Sequence, residues 1–394
     1  MSRRFLDWTA RLSAVIVLVG AAAVALSGAS AASPAAVAAL PPYCPTVSGT
    51  GAVVCATTGS GSLASAFSSP TIAATPAGCG NGSWLVRDRM VSCQHAYFIL
   101  EKFSLPDRVR IGYIVFTVLS AVTTLGANGP YWNHTFQYNA QVSVGQVYTS
   151  ELRTAPECYA ACSYASTVNP PSGPATGVHS GVQVYQTSGA IGTRWTARSD
   201  WAMTFYDPTT INKFTQPLRL GYPGHRCDDA LPGSGPGCVQ SSFRPHLALD
   251  KPNYPNYREH IRIAQMPVGG PQPNLLNRTT NVALMAANRN VSCPPSSPTY
   301  PRPPGYECDE YPFASTYQGA AGLVGEGFNL KVSNRITNID CRVTWLPTQA
   351  QTPHRGFSPC MIPADENSLG GGELGEFYRK NRIIDGDPFT VLRP

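Results

Sequence analysis

The sequence predicts an α+β protein in two parts: an N-terminal antiparallel β-rich domain, then a smaller domain that carries helices, the whole stapled by disulfides. Three observations predict it. Charged residues make up only 13% of the chain, about half the usual share of roughly 25%. Gly and Pro each number 36, so turns are frequent and long charged helix faces are scarce. Finally, the pattern changes near residue 240. Period-two and β-branched runs precede it, and helical spacing with more His, Arg, Asp and Glu follows.

Taken in order, the first 31 residues read as a secretory signal peptide. Arg3, Arg4 and Arg11 supply the positive region and Leu12 to Leu26 the apolar run. Ala29-Ser30-Ala31 gives the small-x-small cleavage form. The apolar run is shorter than the roughly 20 residues that span a bilayer, so a secreted, soluble mature chain is expected. Export makes disulfides the natural use of the 12 cysteines. Their positions fall into sequence neighbours: 44/55, 79/93, 158/162, 227/238, 293/308 and 341/360. Spacing alone does not fix connectivity. A zinc site would need close C-x-x-C pairs with matching His spacing, and the sequence has none.

Residues 32–78 are rich in Ala, Ser, Gly, Pro and Thr and read as a linker or arm pinned by Cys44 and Cys55. Residues 79–240 form the expected β-rich domain. Its strand candidates are 109–118, 141–144, 182–185 and 195–205. Its Trp and Tyr side chains are assigned to core packing ahead of a binding face. The Pro/Gly/Cys stretch Gly221 to Pro236 marks the boundary. In residues 245–394 the helical candidates are Asn256 to Gln265, Leu275 to Ala287 and Gly372 to Arg382, and a strand Phe389 to Leu392 closes the chain. Asn81, Asn133, Asn277 and Asn290 begin N-x-S/T sequons. The net charge of +6 is small and unclustered, so it points only weakly to a polyanionic partner.

Chemistry concentrates in the last third. Cys308 to Thr316 places Asp309 and Glu310 before Tyr311-Pro312. Adjacent side chains on an extended backbone face opposite ways, so one acid is expected at a site and the other in a structural role. Asp365 to Asn381 begins with polar residues suited to an N-cap and then supplies a helix on which Glu373, Glu376, Phe377 and Lys380 share a side. A carboxylate or amide on such a helix, facing an acid at a strand end, can hold a hard divalent cation. The cation would polarise a phosphate, and Arg379, Lys380 and Arg382 add charge for phosphate contacts. The plainer reading is a solvated turn and a surface helix. No G-x-S-x-G elbow, HExxH pair or P-loop is present. A glycosidase using Asp309 and Glu376 is a weaker alternative.

Residues 308–315 resemble the D-E-[WY]-P signature of the NucA/NucB family of secreted bacterial deoxyribonucleases. Tyr254-Pro255 with His260-Ile261-Arg262 is similar to that family's YP…HIR segment. Pro363 to Asn367 with the following glycines is similar to its P-x-D-N…G segment, and Asp385-Gly386 to its terminal turn. The resemblance covers residues 245–394. It implies a small ββα-metal (His-Me finger-like) nuclease domain cutting DNA, with RNA as an alternative substrate, through one Mg²⁺ or Mn²⁺. By the resemblance, Asp309 is the general base and Glu310 its support. Asn367 and Glu376 are metal ligands, with Glu373 the rival of Glu376. His260, Arg262 and Arg379 contact substrate or brace the site. Asp365-Glu366-Asn367 stands where small members have Asp-Asn, and residues 1–240 have no counterpart in them. The alternative from another class is a secreted β-sandwich binding or adhesion protein whose nuclease-like domain is inactive.

Overall fold

The computed structural model describes residues 41–58, 78–126, 129–166, 169–187, 193–265, 274–323, 327, 341, 343, 345–346 and 356–394. The signal-peptide reading of residues 1–31 lies outside them. Among the described residues, no helix is long and apolar enough to cross a membrane.

Most of the described chain is antiparallel β. One sheet runs in the order Gly51–Thr58, Val91–Leu105, Arg110–Thr124, Tyr131–Gly145, Val178–Thr187, Cys162–Tyr164, with two short strands added beside Val91–Leu105. A second runs Gly237–Val239, His225–Asp228, Arg194–Tyr206, Glu151–Tyr159, Ser172–Pro174. Strands rich in Val, Ile, Phe and Thr suit a pleated surface buried on one face. Their inner faces meet in a shared core. Phe116 of the first sheet lies 5.2 Å from Phe205 of the second, and Phe136 lies 5.6 Å from Trp201, ring to ring. Burying each such ring stabilises the fold by roughly 1.5–3 kcal/mol.

The expected strands are all present, most of them longer than expected. Two stretches differ from their reading. Gly51–Thr58, within the stretch read as an arm, is a largely buried strand paired along its length with Val91–Leu105. The apparent boundary loop 221–236 contains the strand His225–Asp228, which pairs with Arg194–Ala197 and with Gly237–Val239. Its turn residues signalled a hairpin joined by Cys227–Cys238. All six disulfides join sequence neighbours.

Beyond residue 245 the described residues form three α-helices, a short 3-10 turn at Ala320–Gly322 and two small sheets around a separate core. Helix α1, Pro255–Ala264, starts with Pro, whose missing N–H costs nothing at that position. Its buried face carries Tyr257, His260, Ile261 and Ala264, spaced i, i+3, i+4, i+7. Helix α2, Val282–Ser292, is capped by the Asn281 side chain, which accepts from the Ala283 and Leu284 amides. The expected helix Leu275 to Ala287 therefore starts later, because Leu275–Asn277 is a strand pairing with Pro388–Val391. Helix α3, Ala364–Lys380, begins eight residues before the reading from Gly372 (364 against 372) and encloses the glycine run. The cause is visible at Gly370, where a Cβ would meet the Tyr257 ring at 2.6 Å, so glycine lets α1 and α3 approach.

The β sandwich and this C-terminal portion belong to one compact unit, Ala39–Pro394. A buried ion-pair network joins them. Asp387 accepts from Arg89 at 2.7 Å and from Arg226 at 2.6 Å, while Asp228 accepts from Arg226 and Arg382 at 2.9 Å each. Desolvation and the neighbouring Arg226 lower the Arg89 pKa to about 10, against the pull of Asp387.

Candidate functional site

The antiparallel pair Tyr306–Tyr311 and Ser358–Pro363 leads directly into α3, giving a β-β-α succession. A cleft of about 270 Å³ opens where this unit meets the end of α2. Its walls include Glu307, Asp309, Glu310, Arg289, Arg302 and Asn367.

Both acids of the Asp309-Glu310 pair line this one cleft, although a regular strand would point them apart. The strand ends at Tyr311 and the chain then wraps back, so that Phe313 to Ser315 also line the cleft. The wrap is held by the Ala314 amide donating to Glu310 Oε1 at 3.3 Å. The cleft is thus met from both sides of the strand end.

Asp309 is held from behind. Its Oδ2 lies 2.6 Å from His260 Nδ1, and His260 Nε2 lies 3.0 Å from Ser358 Oγ. With the imidazole neutral, Nδ1–H donates to the carboxylate and Nε2 accepts from the Ser358 hydroxyl. His260 is fully buried and is not part of the cleft wall. The Ser–His–Asp order resembles a hydrolase triad, but Ser358 is also fully buried and away from the cleft. A nucleophile has to reach its substrate, so the serine here orients the histidine, which in turn orients Asp309. Burial and the nearby Asp309 charge raise the Glu310 pKa to about 7, with Arg289, 3.8 Å away, acting in the opposite direction.

Asn367 lies one turn into α3 and reaches the cleft, where its Nδ2 donates to Glu307 Oε2 at 2.9 Å. Its neighbour Glu366 points the other way. The Glu366 carboxylate accepts from the Asn256 amide and side chain, both at 2.6 Å, and so caps the start of α1. The extra acid in Asp365-Glu366-Asn367 therefore has a structural use. Glu376 is exposed and sits 3.8 Å from Arg379, and neither residue lines the cleft. Glu373 pairs with Lys251, also off the cleft. Arg262 is bound by Glu259 through two 2.7 Å hydrogen bonds on α1, away from the cleft wall.

Asp309, Glu310 and Asn367 thus come together, with His260 one residue behind. Glu376, Arg262 and Arg379 do not join them. Sequence reasoning missed Glu307, Arg289 and Arg302. The first sits two residues before the Asp309 motif, one pleat period away. The two arginines are carried to the acids by the bridge Cys293–Cys308, and that neighbour pairing is the signal that could have found them.

The donor set is oxygen-rich, with three carboxylates and one amide around a single cleft. Oxygen donors are the type a hard divalent cation such as Mg²⁺ or Mn²⁺ takes, although the three carboxylates do not converge within 4.8 Å of one another. The His/Cys groups His225-Cys227-Cys238 and His260-Cys341-Cys360 do not fit zinc, since their cysteines are spent in disulfides. The chain matches no family model, no curated protein and no solved structure.

Proposed function

We propose that this chain is a secreted, metal-dependent endonuclease that hydrolyses the phosphodiester bonds of DNA without strong sequence preference. The observation that carries the reading is a single cleft where a braced aspartate meets further oxygen donors and two arginines. The β-β-α succession beneath the cleft supports the ββα-metal class that the resemblance implies.

In this reading Asp309 accepts the proton of the attacking water, and the His260 bond keeps its carboxylate aimed. Asn367, Glu307 and Glu310 would hold the cation, while Glu376 lies too far toward solvent to be counted among them. The cation, when bound, supplies charge stabilisation at the scissile phosphate. The buried Ser358–His260–Asp309 chain costs little reorganisation, because its partners are already in hydrogen-bond geometry. Cutting without base recognition follows from contacts made to phosphates alone.

The test is plasmid nicking by the purified protein with Mg²⁺ or Mn²⁺, beside an EDTA control. The reading predicts nicked circles only with the metal. Undiminished nicking in excess EDTA, or none under any metal in folded protein, would overturn it.

A further inference from the structure

We propose that Arg289 and Arg302 form the phosphate-binding bank of the cleft, so that the substrate backbone is gripped from α2 and the Pro-rich loop after it, and not from α3. The proposal rests on the nuclease reading and names where its substrate binds.

The argument starts from the two banks of the cleft. Glu307, Asp309, Glu310 and Asn367 contribute from the strand Tyr306–Tyr311 and from α3. Arg289, in the last turn of α2, and Arg302, in the loop after it, also line the cleft. A phosphodiester carries its charge on the non-bridging oxygens, and guanidinium groups bind such oxygens in a forked geometry. A cleft lined only by acids would repel that charge. These arginines supply the opposite sign within the same 270 Å³.

Both arginines have defined supports. Arg302 Nη2 donates to the carbonyls of Cys293 and Pro294 at 3.3 and 2.9 Å, which fixes the guanidinium against the end of α2. Arg289 sits 3.8 Å from Glu310 with its side chain about two-thirds exposed, so its head group is open to solvent above the acid. The bridge Cys293–Cys308 ties the end of α2 to the residue before Asp309, and both cysteines line the cleft. The bridge therefore holds the backbone that carries the arginines beside the strand that carries the acids. Arg379, which the helix pattern suggested, and Arg262, which the resemblance suggested, have partners of their own outside the cleft.

The experiment measures binding of a fluorescent DNA duplex by polarisation in EDTA, where no bond is cut, across a range of salt concentrations. Wild type, Arg289→Gln, Arg302→Gln, Arg289→Lys and a control, Arg153→Gln on the β sandwich, are compared, each checked for folding by circular dichroism. The inference predicts that each cleft Gln variant weakens binding about tenfold and lowers the salt slope by about 0.9, the loss of one phosphate contact. Arg289→Lys keeps most of the slope, because a point charge still neutralises a phosphate. Arg153→Gln leaves both unchanged. Unchanged slopes for Arg289→Gln and Arg302→Gln, in a protein that binds and cuts DNA, would overturn the inference and leave the nuclease reading intact. A wild type that neither binds nor cuts DNA would overturn both.

Discussion

Two buried histidines make the β sandwich acid-sensitive by a calculable amount. His134 is fully buried with its ring nitrogens facing the hydroxyls of Ser120 at 2.8 Å and Ser199 at 3.0 Å. His225 is buried against Tyr222, whose hydroxyl lies 3.1 Å from Nδ1. Burial lowers both pKa values from 6.5 to about 3, with mutual repulsion adding at His134. The unfolded chain thus binds protons below pH 6.5 that the native chain refuses. Stability is present above that pH and falls as pH drops toward 3. At pH 5 each histidine costs about 2 kcal/mol relative to pH 8, and the pair about 4 kcal/mol. Urea unfolding at pH 5 and pH 8 would compare the protein with His134→Gln/His225→Gln. The double variant starts less stable, but its loss between the two pH values should be smaller by about 4 kcal/mol. Parallel pH profiles for the two proteins would refute the reasoning.

Three further outcomes follow from the same structure. Asp387→Asn removes the charge that Arg89 and Arg226 share and should destabilise the protein by about 3–5 kcal/mol in urea, the usual cost of stranding buried charge. Glu310→Gln should act in the opposite pH sense to the histidines. Its carboxyl pKa rises from 4.5 to about 7, so the native state holds the proton more tightly and stability is lost as pH rises through that window. In EDTA the variant should therefore gain up to roughly 3 kcal/mol over wild type at pH 8 and little at pH 5, read by thermal melts. Within the glycine run, Gly370→Ala should lose about 1–3 kcal/mol against the Tyr257 ring, whereas Gly372→Ala, with open space around it, should gain up to about 1 kcal/mol.

Much of the β architecture was legible because its signal is local. The run 195–205 and the alternation at 182–185 carry their strand pattern within themselves, and cysteines spaced 4 to 19 residues apart bridge to their sequence neighbours. What was not legible depends on distant partners. Gly51–Thr58 sits inside an Ala/Ser/Gly/Pro/Thr-rich stretch that hides its Val and Thr residues, and it pairs along its length with Val91–Leu105. Asp309 and Asn367, singled out by their motifs, both line the cleft. Glu376 comes from matching the family's helical acid on a helix whose spacing ranks residues on one face but does not say which face meets the cleft. Glu366 illustrates the same limit, since it faces the start of α1 while its neighbour Asn367 faces the cleft. Asp387 gave no local signal, because its partners Arg89 and Arg226 lie 298 and 161 residues away in sequence.

The central claim is that Asp309 does the chemistry, and the initial rate of plasmid nicking by Asp309→Ala in saturating Mg²⁺ or Mn²⁺ tests it most directly. The variant leaves the buried His260 without its carboxylate partner, a cost of about 1–3 kcal/mol, so its fold is checked by circular dichroism. Its rate should fall by about 10²–10⁴, the range expected when a general base is removed. A folded Asp309→Ala protein that nicks DNA at the wild-type rate would contradict the account.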